Sequence, residues 1–229
     1  MTDAVPAAPG PRPANRRLTA IVWTLLVLGL FGVMLGGMRE MWLASERHDF
    51  RELPVLGQLT DFQMTERDGK ARSLADLKGE IWFAGFFFTD CSGPCPALIS
   101  QMVELSRAVA RTKGQVRVVG ISVDPQTDTP ERLRGYASRM GVGENFWLLT
   151  GPLPEVFRIA REGFKLPVEE NPPASVPQSG KMLHSTKVAL VDGKGRIRGY
   201  YDGTGGDLVA RALPDLGAVM QEAGEGKRR

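Results

Sequence analysis

Two cysteines separated by three residues, Cys91 and Cys95, are the side chains of this sequence best suited to chemistry. A thiolate is the nucleophile of disulfide exchange and also a soft ligand for Cu(I). Gly93 and Pro94 lie between the cysteines and permit a turn that directs both sulfurs toward one point. Pro96 follows directly and suits the first turn of a helix, where unpaired N–H groups stabilise a nearby thiolate. The pair could therefore close a disulfide or hold a metal ion.

Two other interpretations of this pair assign it no chemistry. Free cysteines often lie in a core as small apolar residues, and neighbouring cysteines can also form a static disulfide. A bridge across so short a loop would add comparatively little stability, and the chain has no other cysteine. A redox or metal-binding role is therefore favoured, and a single possible bridge excludes a disulfide-stapled scaffold.

His184 is the candidate third ligand of such a metal site. A lone histidine is more often an ordinary surface residue, but the predicted domain contains no other histidine. The second histidine of the chain, His48, falls in a charged segment before that domain and is predicted to be solvated. Two thiolates and one imidazole suit Cu(I) and are adequate for Cu(II), whereas structural zinc usually takes four protein ligands. The sequence thus predicts a copper site made of Cys91, Cys95 and His184.

The elements that position the cysteines are predicted from apolar patterns. A continuously apolar run at 81–88 is typical of a buried strand, and apolar residues at helical spacing follow Pro96. A valine- and isoleucine-rich run at 116–123 predicts a second strand. Asp128 is predicted to cap the next helix, because it shortly precedes Pro130, which suits a first helical turn.

The second half of the chain predicts a short strand, a short helix, a proline-rich loop, a hairpin and a last helix. These elements fall at residues 145–150, 154–163, 167–180, 187–201 and 206–222, and the hairpin turns through Asp-Gly-Lys-Gly. Early β-α-β units followed by a hairpin and a helix predict an α/β protein with a mixed central sheet flanked by helices. A thioredoxin-like fold over residues 54–222 has this pattern.

Residues 18–38 carry no charge and predict a transmembrane helix, since about 20 apolar residues cross a bilayer core. A cleaved signal peptide and a buried core helix are the alternatives, but the run is long for a signal peptide and no Ala-x-Ala site follows. More arginines precede this helix than follow it closely, which favours a cytoplasmic N-terminus. The prediction is a single-pass protein of the inner membrane, with its domain in the oxidising periplasm or an equivalent compartment. Residues 1–17 and 223–229 are predicted to be disordered tails, and residues 39–53 a juxtamembrane linker.

The overall composition is ordinary for a globular protein, with 42% hydrophobic residues and a formal net charge of +3. No block of lysine and arginine alternates with aromatic residues. Nucleic acid is therefore not expected as a partner.

Four motifs together resemble the Sco/SenC family, over about residues 54–222 and with an N-terminal anchor. They are F-F-F-T-D-C-x-x-x-C-P at 86–96, S-V-D-P-Q-T-D-T-P at 122–130, F-W-L-L-T-G at 146–151, and H-S at 184–185 followed by L-V-D-G at 190–193. The resemblance implies a thioredoxin-like copper chaperone that helps assemble the dinuclear copper centre of cytochrome c oxidase subunit II. That subunit, or another copper-accepting membrane protein, is the implied partner.

The family's functional residues carry over onto matching positions of this chain. Its copper ligands fall on Cys91, Cys95 and His184, and its Asp-Pro motif falls on Asp124 and Asp128, which the local pattern assigns to a strand end and a helix cap. The residues between the cysteines depart from the family pattern, which usually begins with proline and ends in an aliphatic residue. Here they are Ser-Gly-Pro at 92–94, so copper affinity and reduction potential are expected to differ from those of a typical member.

The same thiols allow two further functions. A thiol–disulfide oxidoreductase would use Cys91 and Cys95 to reduce a partner's cysteines, with His184 incidental. A peroxiredoxin-like peroxidase is the weaker alternative: Ser92 and Cys95 match half of its P-x-x-x-[ST]-x-x-C-P pattern, but Phe88 stands where the proline is needed.

Overall fold

A computed structural model describes residues 16–46, 52–112, 116–166 and 185–226. The chain divides into two units, the first ending at residue 50. Within the first unit, helix α1 (Arg16–Glu46) contains the segment Ala20–Arg39. Among the described residues this is the one helix long and apolar enough to cross a membrane. The helix fits the predicted anchor and extends into the segment predicted as a linker.

The second unit begins with three short strands that the sequence did not predict. They are β1 (Gly57–Gln58), β2 (Gln63–Glu66) and β3 (Ala71–Ser73), and a single 3-10 turn follows them. None has the continuous or alternating apolar pattern that identifies a strand, because each is only two to four residues long and largely polar.

The remaining elements follow the predicted order, with ends shifted by a few residues. They are β4 (Ile81–Phe87), α2 (Cys95–Val109), β5 (Val116–Ser122), α3 (Pro130–Met140), β6 (Phe146–Thr150), α4 (Leu153–Arg158), β7 (Lys187–Val191), β8 (Arg196–Asp202) and α5 (Leu208–Gly226). Helix α4 continues as one π-helical turn over Ile159–Gly163. The loop predicted at 167–180 lies outside the described residues.

The eight strands form one mixed sheet in the order β1-β8-β7-β4-β5-β6-β2-β3. Strands β4, β5 and β6 are parallel to one another, and all other pairs are antiparallel. Every residue of β4 is buried, as expected of a central strand covered on both faces. The predicted mixed sheet of an α/β, thioredoxin-like protein is confirmed.

Side chains of β4 alternate between two apolar clusters, one on each face of the sheet. Phe83 and Phe87 pack with helices α2, α3 and α5, whereas Trp82 and Phe86 pack with α4 and the π turn that follows it. The carboxyl end of β4 leads directly into the connection between β4 and α2. That connection contains Cys91, and Cys95 is the first residue of α2.

A buried arginine joins the start of this unit to its last helix. Arg198 in β8 is only 3% exposed, and its guanidinium donates two hydrogen bonds of 2.7 Å to the carboxylate of Glu222 in α5. It also donates to the carbonyl oxygens of Leu53 at 2.6 Å and Pro54 at 3.3 Å. Asp192 accepts a further bond of 3.3 Å, so the buried charge is fully surrounded by acceptors.

Candidate metal centre

The two cysteines flank the turn between β4 and α2. Pro94 occupies the N-cap position of α2, Cys95 begins the helix, and Pro96 lies in its first turn. The Cys91 backbone N–H donates to the carbonyl oxygen of Phe88 at 3.4 Å, a long hydrogen bond. Both cysteines are free thiols, so the structure describes the reduced state of the pair.

The two thiols have different environments. Cys91 is half-buried, whereas Cys95 is 8% exposed and belongs to the apolar cluster beneath α2. Burial, followed by a hydrogen bond with the Cys91 thiol, raises the pKa of Cys95 to about 12. Cys95 is therefore protonated at neutral pH in the metal-free protein, and Cys91 is the thiol that a partner reaches first.

Both thiols line one cleft with a volume of about 170 Å³. Its walls are the end of β4, the start of α2, the turn between them, and the two residues before β7. The lining residues are Phe86, Phe87, Phe88, Cys91, Ser92, Gly93, Pro94, Cys95, Leu98, Ser185 and Thr186. Mostly apolar walls around two soft thiols suit Cu(I), which takes thiolate ligands and needs few others.

The third predicted ligand, His184, lies outside the described residues, as does His48. Ser185, which directly follows His184, lines the same cleft as Cys91 and Cys95. Within the described ranges no group of three or more His, Cys, Asp or Glu side chains could hold a metal ion. The structure thus brings two predicted ligands together and brings the neighbour of the third to their cleft.

Gly203, at the end of β8, holds the start of β7 beside the cleft. Its backbone N–H donates to the carbonyl oxygen of Thr186 at 2.8 Å. A Cβ atom at this position would collide with the side chain of Leu98 in α2 and lie 2.9 Å from that carbonyl oxygen. Only glycine lets α2 and the Ser185–Thr186 segment approach each other this closely.

Asp128 departs from its predicted role as a helix cap. The N-cap of α3 is Thr129, whose side chain accepts from the Arg132 backbone N–H at 3.3 Å. Asp128 turns inward instead, with no exposed surface, and accepts hydrogen bonds of 2.5 Å from the hydroxyls of Thr89 and Ser122. The sequence suggested a cap because Asp before Thr-Pro satisfies the local rule, whereas the inward role depends on Thr89, 39 residues away.

Arg132 reaches the same segment from the solvent side. Its Nε donates to the Thr89 hydroxyl oxygen at 2.8 Å, and its guanidinium pairs with the carboxylate of Asp90. Burial raises the pKa of Asp128, although the hydrogen bonds from Ser122 and Thr89 oppose this shift. The two residues preceding Cys91 are therefore held from inside and outside the domain.

Tyr136 of α3 is a second neighbour that the sequence did not identify. Its ring stacks on that of Phe87, with centroids 5.7 Å apart. Burial, together with the nearby charges of Cys95 and Asp128, raises the pKa of Tyr136 to about 12. Helix α3 thus provides one wall behind the thiol pair.

The family model described as SCO1/SenC matches residues 57–216, which include β1, both cysteines and the first part of α5. The chain therefore belongs to the SCO1/SenC family. The resemblance seen in the four sequence motifs is confirmed. The SCO1 protein homolog of Bacillus subtilis is 32% identical over 152 residues, which cover 66% of this chain and 76% of the relative.

Solved SCO1/SenC and Sco structures share the fold. A SCO1/SenC family lipoprotein from Bacillus anthracis superposes with a TM-score of 0.66 and 30% identity, covering 74% of this chain and 98% of that protein. BsSco is described as having a disulfide switch and as a member of the Sco family of cytochrome c oxidase assembly proteins. It superposes with a TM-score of 0.60 and 28% identity, and the match covers 72% of this chain and 97% of BsSco. ScoI of Bradyrhizobium japonicum was solved with copper bound. It superposes with a TM-score of 0.57 and 25% identity, and the match covers 69% of this chain and 98% of ScoI.

Within this SCO1/SenC domain the turn between the two cysteines is exposed. Ser92, Gly93 and Pro94 all face solvent, and the nearest atom to a Cβ placed on Gly93 is Cys91 Sγ at 3.8 Å. That contact is an ordinary van der Waals distance. The turn therefore leaves Cys91 Sγ less covered than a turn of larger residues would.

Proposed function

We propose that this protein is a membrane-anchored copper chaperone that binds one copper ion through Cys91, Cys95 and His184. Its acceptor is the dinuclear copper centre of cytochrome c oxidase subunit II. The observation that carries the proposal is the single cleft lined by both free thiols and by Ser185, the residue after His184. Copper in ScoI and the role of the Sco family in oxidase assembly support the same conclusion.

Copper is the cargo of this site, and the two thiols must lose their protons to bind it. Each thiol gives up its proton as its sulfur binds Cu(I), and a neutral imidazole completes the set. Because Cys95 holds its proton up to a pKa of about 12, copper must displace a proton there at neutral pH. Binding is therefore expected to strengthen as the pH rises.

The different exposure of the two sulfurs suggests an order of transfer. An acceptor thiol would displace the half-buried Cys91 first, while the buried Cys95 retains the ion until a second acceptor ligand arrives. The ion never becomes free in such an exchange, since an incoming sulfur replaces each departing one. The less covered Ser92–Gly93–Pro94 turn faces the side on which the acceptor would dock.

The anchor would keep this exchange close to a membrane-bound acceptor. We propose that α1 holds the domain (residues 54–222) on the periplasmic side of the inner membrane, with residues 1–17 as a cytoplasmic tail. Residues 39–53 would link the two parts, and residues 223–229 would form a C-terminal tail. Restricting two partners to one membrane raises their effective concentration without any additional contact.

A Cu(I) titration tests the ligand set. The reduced full-length chain, in detergent and without oxygen, is titrated with Cu(I) against a competing chelator. Wild type is expected to bind one ion. Cys91→Ala, Cys95→Ala and His184→Ala should each weaken binding by more than the roughly 10- to 100-fold typical of outer-shell losses. His48→Ala is the matched control and should bind as wild type does; unchanged affinity in His184→Ala would remove that residue from the site.

A second function, thiol–disulfide exchange with the acceptor, is favoured by the asymmetry of the pair. An accessible Cys91 beside a buried Cys95 is the arrangement of an attacking thiol and a resolving thiol. Oxidation of this dithiol to a disulfide would give two electrons and two protons to the acceptor's disulfide, leaving two acceptor thiols ready for copper.

Metal-free assays separate this function from copper delivery and from peroxidase activity. The reduced chain should convert a disulfide-linked copper-site peptide to its dithiol, and Cys95→Ala should accumulate a mixed disulfide at Cys91. Retention of this reaction in His184→Ala, together with loss of copper binding there, would assign the two roles to different residues. Consumption of hydrogen peroxide at a comparable rate would instead support the peroxidase alternative.

A further inference from the structure

The most enclosed carboxylate beside the cleft, that of Asp128, belongs to no proposed ligand set. It has no exposed surface and lies between β5 and α3. Its oxygens accept from the Thr89 hydroxyl at 2.5 Å, the Thr89 backbone N–H at 3.1 Å and the Ser122 hydroxyl at 2.5 Å. Burying a carboxylate is costly unless hydrogen bonds compensate it, and these three bonds offset that cost for Asp128.

We infer that Asp128 is a positioning residue, which fixes Thr89 and thereby sets where Cys91 stands relative to Cys95. The inference rests on the proposed use of the two thiols as one site. Strand β4 ends at Phe87 and α2 begins at Cys95, so the intervening segment carries Cys91 outside regular structure. In that segment the backbone N–H of Cys91 donates a long hydrogen bond of 3.4 Å to the carbonyl oxygen of Phe88.

Thr89 is the point at which the segment is secured, because three hydrogen bonds hold it. Its hydroxyl donates to Asp128 and accepts from Arg132 Nε at 2.8 Å, while its backbone N–H donates to Asp128 as well. Only Asp90 lies between Thr89 and Cys91 in the chain. A displacement of Thr89 would be transmitted directly to Cys91.

Arg132 contributes less than Asp128 to this restraint. Its side chain is 39% exposed and that of its partner Asp90 is 58% exposed, and exposed ion pairs contribute little. The salt bridge from Arg132 Nε to Asp128 is also long, at 3.8 Å. The carboxylate of Asp128 therefore holds Thr89 from within, and Arg132 covers the outer side.

A purely structural role for Asp128 is the competing explanation, and a second buried carboxylate provides the comparison. Asp192 is 5% exposed and accepts from Arg196 Nε at 2.7 Å. Asp192 directly follows β7, which starts at the cleft and runs antiparallel to β4. Asp192 therefore lies at the end of the strands that is far from the cleft. Loss of either carboxylate should lower stability, but only Asp128 should affect the thiols.

The test uses the full-length chain with Asp128→Asn, Thr89→Val and the control Asp192→Asn. Three quantities are measured: Cu(I) affinity by chelator competition, the reduction potential of the dithiol against a thiol buffer, and the alkylation rate of Cys91 without metal. Asp128→Asn and Thr89→Val should weaken Cu(I) binding roughly 3- to 10-fold, the range expected for one lost hydrogen bond. Both variants should also change the reduction potential of the dithiol and the alkylation rate of Cys91. Asp192→Asn should lower the unfolding midpoint alone.

The double variant separates coupling from independent effects. If Asp128 acts through Thr89, the double variant should resemble the single Asp128→Asn variant rather than multiply the two losses. The inference is overturned if both single variants keep wild-type affinity, potential and Cys91 reactivity while losing stability as Asp192→Asn does. Thr89→Val retains the volume and the backbone N–H, so it decides the question even if Asp128→Asn does not fold. Because potential and alkylation need no copper, they remain informative if wild type binds none.

Discussion

Gly203 and Leu98 approach each other so closely that no side chain fits between them. Gly203 also donates its backbone N–H to Thr186 at 2.8 Å, which ties the segment after His184 to the end of β8. Leu98 lies one turn into α2 and lines the cleft with Cys95. Gly203 therefore sets the distance between the two walls of the cleft that Leu98 and Thr186 form.

Gly203→Ala should separate these walls. The added methyl group must displace either Leu98 or the Thr186 carbonyl, and a proposed His184 ligand would move with the latter. Cu(I) affinity, measured by chelator competition, should fall by at least about tenfold, in the range that displaced outer-shell groups cost. Gly217→Ala is the control, because Gly217 has open space around its Cα.

The loss at Gly203 should also depend on His184. In a His184→Ala background, Gly203→Ala should have little further effect on Cu(I) affinity, since the ligand it misplaces is already absent. An equal loss in both backgrounds would show that the methyl group acts through Leu98 and Cys95 instead.

The thiols should differ in reactivity. In the reduced, metal-free chain at pH 8, iodoacetamide should modify Cys91 well before Cys95, which is buried and has a pKa of about 12. Because the thiolate is the reactive form, modification of Cys95 should accelerate roughly tenfold per pH unit until the pH approaches that value. Peptide-level mass spectrometry follows both sites, and equal rates at pH 8 would contradict the assignment.

The same thiol gives a stability change at high pH. The pKa of Cys95 is raised from 9.0 to about 12 in the folded chain, so the protonated thiol favours folding. This contribution is complete below pH 9 and is lost as the pH rises toward 12. Cys95→Ala should lose less stability across that interval than wild type, as measured by urea unfolding at pH 8 and pH 10.5.

Glu222→Gln should destabilise the domain, because it removes the bidentate acceptor of the buried Arg198 guanidinium. Asp192 still accepts from Arg198, so the expected loss is about 1–3 kcal/mol, the cost of an imperfectly satisfied buried group. Urea unfolding measures it. Glu104→Gln on the exposed side of α2 is the control and should lie close to wild type.

The pH dependence of this effect has a defined sign. The Arg198 hydrogen bonds hold the pKa of Glu222 below its usual value of 4.5. The resulting stability is present above pH 4.5 and is lost as the pH falls through the lower folded value. The difference between wild type and Glu222→Gln should therefore be largest near neutral pH, and a constant difference down to pH 3 would contradict this account.

The central strands, the helices and the hairpin were predictable because their signals are local. A continuously apolar run identified β4, and Asp-Gly-Lys-Gly identified the turn before β8, where Gly195 adopts a φ of +74°. The cysteines were predictable as a pair for the same reason, since Gly93, Pro94 and Pro96 specify a turn and a helix start.

The features that escaped prediction depend on partners far along the chain. Strand β1 exists because Gly57 and Gln58 pair with Ile197 and Arg196, some 140 residues later, and not because of its own side chains. Asp128 satisfied the rule for a cap, and only the position of Thr89 reveals that its carboxylate turns inward. The role of His184 stays a prediction, supported by its neighbour Ser185 in the cleft.

Arg198 has a consequence for how the protein is made. The ribosome releases Leu53 long before Glu222, yet the Arg198 guanidinium needs both residues before its hydrogen bonds are complete. A nascent chain that has not reached Glu222 therefore carries an incompletely paired cation on β8, which opposes closure of the sheet. Chains that stop short of α5 should stay open to proteases, so the domain should close only after α5 has been synthesised.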